Sequence, residues 1–264
     1  MNRLSVILLE STSIGVEHVI YAPVPYKGYT FRARSKGADI ESFKSALKDW
    51  LIPFDQTIIT SNFLEKVLVH SRNKAYYLRV FQAPALDELK RSGAVSHIAE
   101  IDMMLLKKIP VSQLDLAMTK FIEAHSIPIG DIEPLTITLN TIEDVESNTI
   151  RKIIPKEVAQ KIVELTRSDR FKIFILYRGG ERYHLAFGLA RRIIAEVFSR
   201  DFIVATENIK EDVLLLYDGV LIVGKRLPPW ARLKGWNVIN LEKYIAESIK
   251  TDKLVDDILK QIYG

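Results

Sequence analysis

The sequence predicts an α/β protein (α+β overall), with a strand-rich mixed N-terminal half packed on a smaller α/β C-terminal half. Three observations predict it. Short runs with period-two alternation, broken by Pro, Gly and Asn, crowd the first 140 residues. From about residue 151, apolar strands alternate with amphipathic helices. A polar, acidic stretch, Thr141–Asn148, lies between them and is followed by Pro155. The expected units are therefore residues 1–145, a strand-rich α+β domain, and residues 151–264, an α/β domain.

Leu4–Leu9 is an apolar run of strand character. Glu17–Ala22 and Tyr29–Arg34 flank the Pro/Gly turn Pro23–Gly28. Strand alternation puts Tyr29, Phe31 and Ala33 on one face and Thr30, Arg32 and Arg34 on the other. Asp39 can cap a helix running to about Trp50, with Ile40, Phe43 and Leu47 inward. Leu64–Val69 and Ala75–Phe81 read as a hairpin around Ser71–Lys74. Ala94–Leu106 reads as strand interrupted by Asp102. Val111–His125 follows as a helix facing Leu114, Met118, Phe121 and Ile122 to a core, and Leu135–Leu139 as a further strand.

In the second half, Lys156–Arg167 is an amphipathic helix. Phe171–Tyr177 is nearly all apolar, as a strand buried on both faces requires. Arg178-Gly179-Gly180 is a turn, Glu181–Phe198 a long helix and Phe202–Thr206 the next strand, which together make a βαβ unit. Asp218-Gly219 between Val213–Tyr217 and Val220–Val223 reads as a hairpin. Trp236–Leu241 and a helix over Glu242–Ile262 close a Rossmann-like layer.

Apolar residues make up 48% and charged residues 27%, enough for a full core under a solvated surface. The absence of cysteine excludes disulfides, thiolate chemistry and Cys-based zinc or iron–sulfur sites. Met1–Glu10 lacks the long apolar region of a signal peptide, and no run reaches membrane-spanning length, so a cytoplasmic protein is expected. Few Asn and Gln with abundant Ile, Lys and Glu give a thermophile-like composition. Net charge is +4, unevenly placed: residues 1–150 hold 16 Lys/Arg against 18 Asp/Glu, and residues 151–264 hold 21 against 15. Any anion-seeking surface, nucleic acid included, is therefore expected in the second half.

Two constellations stand out there. Tyr177–His184 places two glycines between a strand and a helix, with Arg178, Arg182 and His184 as donors beside the free N–H groups of a helix start. Such a turn can hold a phosphate or carboxylate through Arg178, Gly179, Gly180, Arg182 and His184, or it can be an ordinary tight βα connection. It is neither a P-loop nor GxGxxG. The loop Leu227–Trp236 offers Trp230, Arg232 and Trp236, either as partner anchors or as a cover for the sheet end. The five histidines show no metal-ligand spacing, so no metal and no cofactor is expected. His97 reads as a hydrogen-bonded strand residue. Glu100 and Asp102 share a strand face, which is as compatible with solvation as with acid–base chemistry. No serine sits in a GxSxG elbow.

Two segments, Tyr21–Gly37 with its Ala33-Arg34-Ser35-Lys36-Gly37, and Arg79-Val80-Phe81-Gln82-Ala83-Pro84 followed by Arg91-Ser92-Gly93-Ala94-Val95-Ser96-His97, resemble the N-terminal domain of the GTPase-associated proteins. The matching positions are Gly28, Ser35, Gly37, Arg91, Gly93 and His97, within the first 110 residues. The resemblance implies an accessory partner of a GTPase system and carries no catalytic role. Read without it, the three glycines are turn residues bounding strands. The functional expectation is a binding or regulatory protein with a protein partner, and the alternative is an anion- or nucleotide-binding enzyme at Arg178–His184.

Overall fold

The computed structural model of the chain describes residues 13–84, 92–138, 144–193, 199–206, 208–232 and 235–245. The strand expected at Leu4–Leu9, Arg91 and the helix beyond residue 245 lie outside the described residues.

The protein is α/β, built on one mixed sheet that runs through both halves of the chain. The N-terminal half supplies β1 (Ser13–Val16), β2 (His18–Val24), β3 (Gly28–Ser35), β4 (Leu64–Ser71), β5 (Lys74–Ala83), β6 (Gly93–Asp102), β7 (Gly130–Ile132) and β8 (Leu135–Thr138). With them come α1 (Ile40–Ala46), α2 (Met103–Lys108) and α3 (Val111–His125). The C-terminal half supplies α4 (Val145–Ile153), α5 (Lys156–Thr166), β9 (Phe171–Leu176), α6 (Arg182–Ile193), β10 (Phe202–Thr206), α7 (Glu211–Leu214), β11 (Gly219–Gly224) and β12 (Asn237–Asn240). The large sheet has the order β12-β9-β11-β10-β4-β5-β6-β2-β3-β7, and β1 pairs with β8 separately. Strands β12, β9, β11 and β10 are parallel, whereas β10 to β4 is antiparallel. The two halves thus meet edge to edge, through ladder hydrogen bonds between β10 and β4. Among the described residues, no helix is long and apolar enough to cross a membrane.

Both faces of the sheet are covered. Helices α2 to α6 lie over one face and enclose Leu68, Tyr77, Ile101, Leu114, Ile162, Ile173, Leu185 and Phe202. The other face packs against α1, α7 and the turns around Phe54 and Trp230. Strands β9, β10 and β11 are buried on both sides, and for that reason their sequences are nearly continuous apolar runs, with the partly buried Lys172 the exception in β9.

Five local readings are corrected by the structure. Val213–Tyr217 is not a hairpin strand. Glu211 and Asp212 open the short helix α7, Val213 and Leu214 pack inward, and Leu215 and Leu216 are exposed. The Asp218-Gly219 dipeptide ends a crossover from β10 to the parallel β11, with Phe202 opposite Gly219. Residues 207–218 are about the dozen that a parallel connection needs. Second, a β-bulge shifts the β2–β3 register so that Ile20 faces Ala33 and Tyr21 faces Phe31. Arg32 is the extra residue, and Ala33 passes to the opposite face from Tyr29 and Phe31. Third, Asp102 does more than interrupt a strand. Its carboxylate accepts from Met104 N–H and starts α2, so 103–106 is helical. Fourth, the acidic stretch before Pro155 becomes helix from Val145. Asp144 caps it, and the buried Glu146 accepts from Ser112 N–H at 2.7 Å and from Arg191 at 3.2 Å. Helix α1 also stops at Ala46, short of Trp50, where Lys48 and Asp49 take positive φ.

Close packing at the start of β11 makes one prediction. A Cβ on Gly219 would overlap the Phe171 ring and come 2.8 Å from Phe202 Cβ. Gly219→Ala is expected to lower stability by about 1–3 kcal/mol, as overpacking of a dense core does. The urea midpoint measures it.

Candidate functional site

Parallel strands place their carboxyl ends on one edge, where ligands bind in open α/β sheets. Here that edge carries Arg178 after β9, Asn208 after β10, Lys225 and Arg226 after β11, and Glu242 after β12. The glycine turn does not present its donors as one set. Arg178 N–H donates to Glu242 Oε1 at 2.7 Å, so a carboxylate of the chain itself occupies it. The Tyr177 ring sits against Gly179, leaving no room for a Cβ there. Its hydroxyl donates to Glu181 at 3.0 Å, and its pKa is pushed up to about 12 by burial first and then by Glu181. Gly180 has open space around its Cα. Arg182 turns inward to Glu65 at 3.2 Å. His184 is half-buried, and its pKa is lowered by desolvation first and by the Lys66 charge next.

Glu65, second residue of β4, organises the layer below this edge. Its Oε1 accepts from Arg182 at 3.2 Å and from Asn208 Nδ2 at 3.4 Å. Its Oε2 accepts from the Tyr183 hydroxyl at 2.9 Å and from the Thr206 hydroxyl. Only 6% of the side chain is exposed. Burial, and then the Glu65 charge, raise the Tyr183 pKa, so this phenol stays a neutral donor. Asn208 links the buried cluster to the surface. Its φ of +89° lies in the left-handed region, which asparagine enters more readily than most residues.

Above Asn208 opens a crevice of about 490 Å³, lined by Asn208, Ile209, Lys225, Arg226, Pro228 and Trp230. Lys225 and Arg226 are exposed, whereas Trp230 and Trp236 are half-buried. The two indoles lie 4.7 Å apart, and Trp230 meets Phe174 edge-on at 6.1 Å. The tryptophans therefore cover the sheet end while Trp230 also walls the crevice. Arg232 is exposed and does not line it. Sequence reasoning missed Asn208, Lys225, Arg226 and Glu65. Two adjacent cations directly after a buried strand are the one signal that points to Lys225 and Arg226.

The six positions on which the expected resemblance rests divide. Ser35, Gly37 and His97 gather around Glu17 and His18. The Ser35 hydroxyl donates to Glu17 at 2.5 Å, Gly37 N–H donates to the same carboxylate at 3.1 Å, and a Cβ on Gly37 would stand 2.6 Å from it. Gly28, at φ +69°, makes the β2–β3 turn, and Gly93 opens β6. Arg91 lies outside the described residues.

The histidines are less scattered than their spacing implies. His18 Nδ1 and His97 Nε2, on neighbouring strands, are 2.8 Å apart. His18 Nε2 lies 2.8 Å from the Glu133 carbonyl, which can only accept, so His18 Nδ1 is the acceptor and His97 Nε2 the donor. His97 Nδ1 is then a buried acceptor with no hydrogen-bond partner. Among the described residues, no group of three or more His, Asp or Glu is placed to hold a metal. Glu100 pairs with Lys74 and Asp102 caps α2, so the two carboxylates do not act as a pair.

No family model, curated protein or solved structure matches this chain.

Proposed function

We propose that this protein binds a phosphate-bearing small molecule carrying a planar ring, with the phosphate against Lys225 and Arg226 and the ring against Trp230. The observation that supports this reading is the crevice itself, where two cations, an asparagine and an indole converge at the carboxyl ends of β10 and β11. Cations supply charge complementarity, Asn208 supplies an amide that can read a ring edge, and an indole face stacks on any base. Such a site suits a binding or regulatory protein whose state follows a nucleotide-like ligand.

Calorimetry and thermal shift against nucleoside phosphates, sugar phosphates and inorganic phosphate test it. A ligand at one hundred times its Kd adds about 2.7 kcal/mol of stability. Replacing both cations (Lys225→Ala with Arg226→Ala) is expected to weaken nucleotides at least about tenfold, as loss of charge-assisted bonds does. Trp230→Leu is expected to weaken nucleotides but not sugar phosphates, by the roughly 1–3 kcal/mol of a base–aromatic stack. Nucleotide affinity unchanged in the double variant would end this reading.

A protein partner, including a GTPase, is the second reading, and one observation favours it. Tyr26, 94% exposed at the tip of the β2–β3 hairpin, takes a positive φ that holds it outward. Tyrosine is a frequent interface anchor.

A further inference from the structure

A row of polar side chains crosses the sheet beneath α3. Lys66 of β4 stands opposite Arg79 of β5, and Arg79 opposite His97 of β6. On one side of the row lie Leu68, Tyr77 and Ala99, and on the other Ile20, Ala83 and Val95. Lys66 and Arg79 share a single carboxylate. Asp115 Oδ2 is 2.7 Å from Lys66 Nζ, and Oδ1 is 3.1 Å from Arg79 Nε. The Tyr77 hydroxyl also donates to Oδ1, at 2.7 Å. The Lys66, Arg79 and Asp115 side chains are 17%, 11% and 19% exposed, so this cluster holds one surplus positive charge nearly out of water. Neighbouring Glu65 is already matched by Arg182. The Tyr183 ring, 4.9 Å from Lys66, offers only its quadrupole. A desolvated charge without a full counter-charge is costly, and an anion would offset that cost.

Space for one is present. Arg79 Nη1 donates to Thr119, and Nε, 3.1 Å from Asp115, is buried with no hydrogen-bond partner. A cleft of about 290 Å³ opens against Arg79 and Thr119, with Leu64, Phe81 and Ile122 forming apolar walls and the exposed Glu123 at the rim. A cavity of about 150 Å³ holds benzene, so this one holds about twelve heavy atoms. It shares no lining residue with the crevice at Trp230.

We propose that this cleft binds a small monocarboxylate with a short apolar chain, its carboxylate on Arg79 and Thr119 and its chain between Leu64, Phe81 and Ile122. One surplus charge and few donors suit a monoanion better than a phosphate dianion, and Glu123 repels a second anionic group.

Calorimetric titration of the full chain with straight-chain monocarboxylates, from butanoate to octanoate, tests it. Affinity is expected to rise about fourfold per methylene until the cleft is filled. The corresponding alcohols and dicarboxylates are expected to bind at least tenfold more weakly, and Arg79→Gln to lose at least tenfold. Phe81→Trp shortens the apolar end without touching the ion cluster, and should move the preferred chain length down even where Arg79→Gln fails to fold. The variant lacking Lys225 and Arg226 should bind monocarboxylates as the wild type does, which separates this site from the nucleotide reading. Absence of binding at millimolar concentration, alcohols equal to acids, or an unchanged length preference in Phe81→Trp would each overturn the proposal.

Discussion

Glu65→Ala is expected to lower the unfolding free energy by about 3–5 kcal/mol, the range for removing one partner of a buried ion pair. The effect is not mainly lost attraction. Without the carboxylate, Arg182, Tyr183, Thr206 and Asn208 all lose an acceptor at once. The Arg182 side chain, 15% exposed, would lose this counter-charge. Glu65→Leu combined with Arg182→Met should recover most of the loss, because replacing both charges removes the desolvation penalty with the attraction. Urea unfolding of the wild type, both single variants and the double variant measures the coupling. A Glu65→Ala loss below about 1 kcal/mol, the value of an exposed pair, would mean the cluster is solvated and not structural. Because Asn208 hangs from Glu65 and lines the crevice, Glu65→Gln is the variant in which to measure ligand affinity.

Stability is expected to fall steeply as pH drops below 6.5. His18, His70, His97 and the half-buried His184 are each held below the usual histidine value, in every case by burial first. For His97, which is fully buried, the His18 and Arg79 charges add to the effect. The unfolded chain takes up protons near 6.5 while the folded chain refuses them. Stability is therefore complete above 6.5 and is lost progressively below it, down to each folded value. Where the unfolded form is charged and the folded form neutral, one histidine contributes at most about 1.4 kcal/mol per pH unit. Glu146 acts in the opposite sense, since burial raises its pKa and its folded form binds a proton more readily. Asp144 and Asp201, held low in the folded protein, begin to cost stability only below 3.8. Urea unfolding across about pH 5 to 8 reads the slope, and His97→Leu should make it shallower. A flat profile down to about pH 5 would mean that water reaches the His18–His97 pair.

What was legible in the sequence was local. Helix α3 matches its predicted bounds because Leu114, Met118 and the half-buried Phe121 and Ile122 recur at helical spacing. The β4–β5 hairpin is legible because only a two-residue turn, Arg72-Asn73, separates two strong strand formers. The β10–α7–β11 segment was misread for a related reason. Asp-Gly is a strong turn signal, but whether β11 pairs back on its own flank or forward on β10 and β9 depends on strands it meets only in the fold. The candidate site shows the same limit. Glu65 and Arg182 are 117 residues apart, and His18 and His97 are 79 apart, so no spacing rule joins them.

The sequence by itself determined the α/β class, the order of most elements and the basic character of the second half, because periodicity, turn chemistry and composition act over a few residues at a time. Only the tertiary structure decided that one sheet runs through both halves, that the Arg178 N–H is taken by Glu242, and that a crevice lies at Lys225, Arg226 and Trp230. Those outcomes follow from which strand edges pair and which charges must find partners once water is excluded, and both are settled between residues far apart in the chain.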